Sequence, residues 1–224
     1  MATVFFKKRG INVAGFVAFF IILSSCVYAF FLQNVTTVFH NKNFYFLVSS
    51  TTHVEAGAYE TMQMGGAGYL LRTETRNYVA FSVYLNESDG ESAKDNVKGE
   101  SSVLQKTAGN LYFKTRKQKR NARAVINGLS CLYSCIDVLE KETTRLANGA
   151  TQESSRRILE SLTAQFKRLR EEYGGAFLGF SKVCEKAQQD VETVLSGIIY
   201  VKDLRKISCF LCDAYVGLAG EYSL

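Results

Sequence analysis

The chain has 224 residues, 47% of them hydrophobic, and a formal net charge of +6. These values exclude wholesale disorder and fit one or two folded domains with attached segments. Proline and tryptophan are absent, so long helices can run without the break that proline imposes. The small excess of basic residues is compatible with an anionic partner, but it does not distinguish phospholipid from wall polymer or nucleic acid.

An uncharged apolar run follows a short basic segment at the N-terminus. Lys7, Lys8 and Arg9 precede residues 11–32, which carry no charged side chain. At about 1.5 Å per residue, a helix of this length crosses a hydrocarbon core of about 30 Å. Because the cations lie on one side only, we predict a cytoplasmic tail at 1–10 and a transmembrane helix at 11–32. The predicted location is the cell membrane, with the later domains extracytoplasmic.

Other interpretations of this segment remain open. Val27-Tyr28-Ala29 has the small residues that a signal peptidase reads. Leu23-Ser24-Ser25-Cys26 resembles a lipobox, in which Cys26 would be acylated. Both cleavage interpretations leave the apolar residues Phe30 to Leu32 near a new N-terminus, where they would be poorly solvated. A buried core helix is the remaining alternative.

Residues 43–115 alternate between strand and helix signals. The predicted elements are strands at 44–48, 69–71 and 78–85, helices at 54–64 and about 92–99, and a last strand or hairpin within 102–106 and 111–115. The order strand–helix–strand–strand–helix–strand is typical of a small α+β fold with helices on one face of an antiparallel sheet.

Residues 118–224 carry apolar side chains at helical spacing. The predicted helix limits lie at Gln118, Asn148, Thr151, Gly174 and Ala176. We predict a three-helix bundle or coiled coil, with a long third helix that kinks at Gly197. The predicted third helix is longer than the second, so part of its apolar face has no partner among the other helices. We predict that this surplus apolar face packs on the first domain or mediates self-association.

Four pieces of the first domain match one family pattern. Phe44 to Val48 matches the first strand of the pattern, which begins with aromatic residues. Gly68-Tyr69 matches the glycine and aromatic residue that lead from the helix into the second strand. Tyr78 to Tyr84 stands at a third strand, and the acidic turn Glu87 to Asp89 precedes a helix. On these pieces, residues 43–115 resemble the SPOR domain, the sporulation-related repeat that binds bacterial peptidoglycan.

The resemblance implies glycan binding on the exposed face of the sheet. Carried over by position, it assigns contact with the glycan strand to Tyr45, Leu47, Ser49, Tyr78, Ala80 and Ser82. A tyrosine ring suits a sugar face and its hydroxyl can form hydrogen bonds, while small neighbours leave room for a polymer. Alternatively, Tyr45 and Tyr78 only cover the sheet or pack against the C-terminal helices.

Five cysteines lie in the predicted helices, namely Cys131, Cys135, Cys184, Cys209 and Cys212. Two pairs at helical spacing resemble zinc ligands, but their flanks are apolar and contain no glycine knuckle. Burial as small hydrophobic residues is the favoured interpretation. A disulfide between the first and third helices comes second, and zinc comes last. We predict no metal and no cofactor.

A dense basic run marks the junction of the two predicted domains. Its members are Lys114, Arg116, Lys117, Lys119, Arg120 and Arg123. A solvated linker and helix start is the favoured interpretation, and contact with anionic wall polymers or lipid headgroups is the alternative. We expect no nucleic acid partner outside the membrane.

Catalytic motifs are missing from the sequence. His40 and His53 are the only histidines, and no nucleophile elbow, phosphate loop or H-E-x-x-H motif accompanies them. Together with the predicted membrane segment, the SPOR resemblance implies a membrane-anchored peptidoglycan-binding protein of cell division or sporulation, and the missing motifs predict that it is non-catalytic. The alternative is a structural or assembly protein of an envelope complex, whose helices dock a partner or another copy.

Overall fold

The computed structural model describes residues 36–51, 53–73, 76–97, 99–177 and 179–223. The predicted tail, the transmembrane helix and Cys26 lie outside these residues. In chain order the elements are β1 (Thr36–Val38), β2 (Lys42–Ser50), α1 (Val54–Gln63), β3 (Tyr69–Arg72), β4 (Asn77–Tyr84), α2 (Glu87–Lys94), β5 (Ser102–Ala108), β6 (Leu111–Phe113), α3 (Arg116–Ala147), α4 (Gln152–Tyr173), α5 (Phe180–Leu195) and α6 (Val201–Gly220).

Strands β2 to β5 form one antiparallel sheet in the order β3-β4-β2-β5. This confirms the α+β class with an antiparallel sheet. Helices α1 and α2 both cover one face. Gly90 of α2 lies against Tyr45, and a small cavity under α1 is lined by Thr61 of the helix and Ser49 of the sheet. Tyr45 and Ser49 point the same way because they are four residues apart on one strand.

Helix α6 covers the opposite face of the sheet. The ring of Phe44 in β2 lies 5.3 Å from the ring of Tyr215 in α6. Phe44, Phe46 and Val48 are fully buried. The sheet therefore has helices on both faces, whereas the sequence predicted them on one face only.

The helical part contains four helices where three were predicted. The long third helix divides into α5 and α6, and the predicted kink, Gly197, lies in the break between them. The limits predicted at Asn148, Thr151 and Gly174 are confirmed, and α3 begins two residues before Gln118. Helix α5 begins at Phe180, four residues after the predicted Ala176. The Thr151 side chain caps α4 by accepting from the Ser154 N–H, and α3 begins at a capping box of Thr115 and Gln118.

One hydrophobic core runs through both predicted domains. Side chains of β2, α3, α4 and α6 all belong to it, including Phe46, Leu132, Phe166 and Leu211. The surplus apolar face of the predicted third helix is thus used for packing on the sheet, one of the two outcomes that the sequence predicted.

Two connecting segments differ from their predictions. The helix predicted at about 92–99 begins at Glu87, where acidic residues in the first turn favour the positive end of a helix. No strand was predicted before residue 44, but residues 36–38 form β1, which pairs with β6 through Thr36 and Phe113. The last predicted strand is therefore split, since β5 joins the main sheet and β6 does not.

Among the described helices, α3 is the one whose length and composition would permit it to cross a membrane. Core helices of water-soluble domains often share these properties. Helix α3 packs along α4 and α6, and its buried residues include Val125, Leu129 and Leu139. This packing accounts for its apolar stripe.

Candidate functional site

The residues predicted to contact glycan are largely buried. Leu47 is 1% exposed, Ala80 is fully buried and Ser82 is 7% exposed. Tyr45 and Tyr78 are half-buried. Ser49 is also half-buried. A polymer lying flat on the sheet could therefore not reach Leu47, Ala80 or Ser82, whereas Tyr45, Ser49 and Tyr78 keep part of their surface exposed.

A β-bulge separates these residues onto two faces. Leu47 lies opposite Ser82 and Val48 lies opposite Ala80, so Phe81 has no partner across the strands. Cross-strand partners share a face, and successive residues of one strand point to opposite faces. Ser82 and Ala80 therefore lie on opposite faces, and the expectation of one common face is not met.

A signal in the sequence pointed to this two-sided burial. Phe44 to Val48 is apolar at every position, whereas a strand with one solvated face alternates apolar and polar residues. The central strands therefore lie between helices, and the face that carries α1 and α2 stays open at the β5 edge, where Gln105 and Thr107 are exposed.

Polar contacts join α6 to the sheet. Asp213 of α6 accepts from Lys106 Nζ at 2.6 Å and from the Tyr69 hydroxyl at 3.1 Å. Burial and the nearby carboxylate raise the pKa of Tyr69, so its hydroxyl keeps its proton and donates. Arg205 donates to the carbonyl of Gly65 at 2.8 Å. These bonds hold α6 against the sheet alongside the apolar contacts.

One of the two histidines is part of the core. His40 is 9% exposed, and its Nε2 lies 2.5 Å from the hydroxyl oxygen of Tyr215. Burial, followed by the charge of Lys42, lowers the pKa of His40, and burial raises the pKa of Tyr215. Both groups are therefore neutral, and a hydrogen bond joins them whose direction is set by the tautomer of the imidazole. This pair ties the end of β1 to α6.

The five predicted helical cysteines are free thiols. Cys131 is exposed, and Cys135, Cys184, Cys209 and Cys212 are buried. Burial raises the pKa of Cys135 and of Cys184 to about 12, which keeps both thiols protonated. Across the described ranges, no group of three metal-ligating side chains gathers at one point. The interpretation of these residues as small hydrophobic side chains agrees with four of the five.

An open apolar groove lies at the junction of α5 and α6. It has a volume of about 500 Å³ and is lined by Val194, Ile207 and Phe210. Ile198 and Tyr200 stand at its edge and are 64% and 51% exposed. The charged lining residues are Lys186, Asp190, Asp203 and Lys206. Positive and negative charges thus alternate around an apolar centre.

The α5–α6 link is held in place by α4. Gln152 donates to the Ile199 carbonyl at 2.9 Å and accepts from the Ile199 N–H at 3.0 Å. Arg156 donates to the carbonyls of Leu195 and of Gly197, the latter at 3.0 Å. Ile199 is buried, so the two residues beside it, Ile198 and Tyr200, are presented outward. The single long helix predicted from the sequence is interrupted here, and this break exposes Ile198 and Tyr200.

Comparison with protein-family models, curated proteins and solved structures gave no match. The resemblance to the SPOR domain therefore rests on the quoted sequence pieces and stays a prediction.

Proposed function

We propose that this protein is a membrane-anchored, non-catalytic structural protein of the cell envelope, and that its folded part works through protein contacts. One observation carries this proposal. Helices cover both faces of the central strands of the sheet, while the groove at the α5–α6 junction stays open with Ile198 and Tyr200 exposed at its edge. Large exposed apolar side chains grouped in one concave place are typical of a protein-binding site.

The charges of the groove support a protein as its occupant. Two lysines and two aspartates line it, so its edge is close to neutral. A uniformly anionic wall polymer would meet Asp190 and Asp203 as well as the lysines. A protein segment with apolar side chains between charges of both signs would fit this edge.

The rigid link supports the same conclusion. Because Gln152 and Arg156 fix the backbone of residues 195–199, Ile198 and Tyr200 keep their positions before a partner arrives. A prearranged apolar anchor loses little conformational freedom on binding. The groove is therefore suited to hold a partner segment without rearranging.

A photo-crosslinking residue in place of Tyr200 tests this proposal in intact cells. We expect one crosslinked species, and we expect Ile198→Asp to remove it because a carboxylate would replace the exposed apolar side chain at the edge of the groove. Tyr59→Asp is the matched control, since Tyr59 is 61% exposed on α1 and outside the groove. Equal crosslinking in all three chains would contradict the proposal. Light scattering of the purified full chain separates a second copy from a different partner.

Peptidoglycan binding is the second candidate function, favoured by the topology. The strand–helix–strand–strand–helix–strand order forms one antiparallel sheet with α1 and α2 on the same face, which is the arrangement the SPOR resemblance implies. Sedimentation of the full chain in detergent with isolated sacculi tests it. If the chain sediments and the double variant Tyr45→Ala/Tyr78→Ala does not, glycan binding is supported. If both stay in the supernatant, this candidate fails.

A further inference from the structure

The path of the chain places the basic run next to the predicted membrane segment. Strand β1, the first described element, pairs with β6, and Thr36 lies directly opposite Phe113. Opposed residues of an antiparallel pair have Cα atoms about 5 Å apart. The basic run starts at Lys114, immediately after Phe113. It therefore begins beside the point where the chain enters the folded part.

The β1–β6 ribbon is fixed to the rest of the fold. Leu111 and Phe113 are fully buried, and the Tyr112 N–H donates to the Tyr222 carbonyl at 2.7 Å. The His40 N–H donates to Asn110 Oδ1 at 3.3 Å. The ribbon cannot swing away from α3 without breaking these contacts, so the basic run and the entry point keep their spacing.

Chain length limits how far the ribbon can lie from the bilayer. Three residues, 33–35, lie between Leu32, the end of the predicted transmembrane helix, and Thr36, so the chain makes four residue-to-residue steps from one to the other. A fully extended chain spans at most about 3.5 Å per residue, which gives an upper limit of about 14 Å. Screening at physiological ionic strength acts over about 8 Å. The start of the basic run is therefore held close to the headgroup region.

The cations of this run are closely spaced and mostly exposed, and Glu221 is the acidic residue that lines a cavity together with Lys117. Six of the ten residues from 114 to 123 are lysine or arginine, and five of the six are exposed while Lys119 is half-buried. Within the described part of the chain, none of the six forms an ion pair. The first turn of α3 also lacks an acidic residue. The result is a concentrated positive surface, here called the basic patch (Lys114, Arg116, Lys117, Lys119, Arg120 and Arg123).

We propose that the basic patch binds the headgroups of anionic phospholipids in the membrane that anchors the chain. This inference rests on the membrane anchor of the proposed function. Juxtamembrane lysines and arginines are attracted to anionic headgroups, each adding to the total. Because the patch and the bilayer belong to one tethered system, the effective headgroup concentration is high. A wall polymer has no such tether, so phospholipid is the occupant that the geometry favours.

The natural absence of tryptophan allows a direct test. Asn127 is exposed on α3, one turn after Arg123, so Asn127→Trp provides a single fluorescent reporter beside the patch. Val138→Trp provides a control reporter farther along the same helix, at a site 37% exposed. The full chain is reconstituted in nanodiscs that contain brominated lipid, which quenches tryptophan at short range. One set contains phosphatidylcholine only and the other also contains phosphatidylglycerol.

We expect the Asn127→Trp reporter to be quenched more strongly with phosphatidylglycerol than without it, and Val138→Trp to show no such difference. The pair Lys117→Gln/Arg120→Gln should lower the ratio of docked to undocked chain by about fivefold per cation. Lys167→Gln/Lys182→Gln removes two exposed cations elsewhere and should leave the ratio unchanged. High salt should have the same effect as the patch pair.

Equal quenching in both lipid sets would overturn the proposal. The proposal would also be overturned if both double variants lowered the ratio of docked to undocked chain equally. Full displacement of the patch from the lipid by a soluble anionic wall polymer would overturn it as well. Extraction of the full chain from membranes by alkaline carbonate is measured separately. If the carbonate releases the chain, the membrane anchor and the proposed function are both contradicted. If the chain stays in the membrane but shows no lipid-dependent quenching, only the proposal for the basic patch is contradicted.

Discussion

The rings of His40 and Tyr215 lie nearly parallel, 14° apart in plane with centroids separated by 5.6 Å, and a hydrogen bond joins them. The two residues come from opposite ends of the described chain. Phe44 and Tyr133 contact the ring of Tyr215 as well. The pair therefore connects the segment after the predicted membrane helix to the last helix of the fold.

Removing the hydroxyl of this pair should destabilise the protein. Tyr215→Phe keeps the ring but leaves the buried Nε2 of His40 without its hydrogen-bond partner, at a cost of about 1–3 kcal/mol. Urea unfolding of the detergent-solubilised chain measures the change. Tyr200→Phe is the control, because it removes a hydroxyl from a side chain that is 51% exposed. Equal stability of the two variants would contradict the structural role of the pair.

The stability of the protein should fall as the pH falls below the ordinary pKa of histidine. Burial lowers the pKa of His40 in the folded state, so below about pH 6.5 the unfolded chain takes up a proton that the folded chain does not. The contribution of His40 to the free energy of unfolding is therefore fully present above about pH 6.5. It is lost as the pH falls from there toward the lowered pKa of the folded state. The free energy of unfolding should therefore decrease between pH 7.5 and pH 5.5, which lie about one unit above and below the ordinary pKa of histidine. His40→Gln should flatten this slope, and an unchanged slope would exclude His40 as the source.

Asp213 should contribute more stability than an ordinary surface carboxylate. Asp213→Asn removes the charge that faces Lys106 and weakens the bond from Tyr69, and we expect a loss of about 1–2 kcal/mol. Asp137→Asn is the control, since Asp137 pairs with Lys141, whose side chain is 67% exposed. Such surface pairs contribute about 0–1 kcal/mol. Chemical unfolding of both variants makes the comparison, and a larger loss for Asp137→Asn would contradict the prediction.

Gly66 should not accept a side chain. A Cβ at this position would lie 2.6 Å from Thr61 Cγ2 and 2.8 Å from a ring carbon of Phe81, so Gly66→Ala forces α1 or the sheet to move. We expect a loss of about 1–3 kcal/mol, as for other overpacked sites. At Gly175 no atom lies within 4 Å of an added Cβ, and Gly175→Ala should be close to neutral. Thermal unfolding distinguishes the two.

Thiol reactivity should separate Cys131 from the buried cysteines. In a Cys26→Ser background, a thiol-reactive dye should label the native chain at Cys131, the one exposed cysteine among those described. Cys135 should react only after unfolding, because it is buried and its pKa is raised to about 12. Peptide mapping of the labelled chain measures this. Rapid native labelling of Cys135 would show that α3 opens away from the core.

Local signals in the sequence were sufficient for most helix and strand limits. Gly149, Gly174 and the capping residue Thr151 each act on the backbone within one helical turn. A short stretch of sequence is therefore enough to locate these helix ends. The aromatic-rich strand at Phe44 to Val48 was evident for the same reason. The early start of α2 was missed because its first turn is polar and lacks an apolar period.

The tertiary structure alone decided which surfaces are open. Covering of the sheet by α6, pairing of β1 with β6 and the bulge at Phe81 all join residues that are far apart in the chain. Hydrophobic periodicity shows that a face is buried but does not name the element that buries it, because burial of apolar surface is non-directional. That is why Tyr45 and Tyr78 were assigned to one open face by sequence, and why the groove beside Tyr200 became visible only in the folded chain.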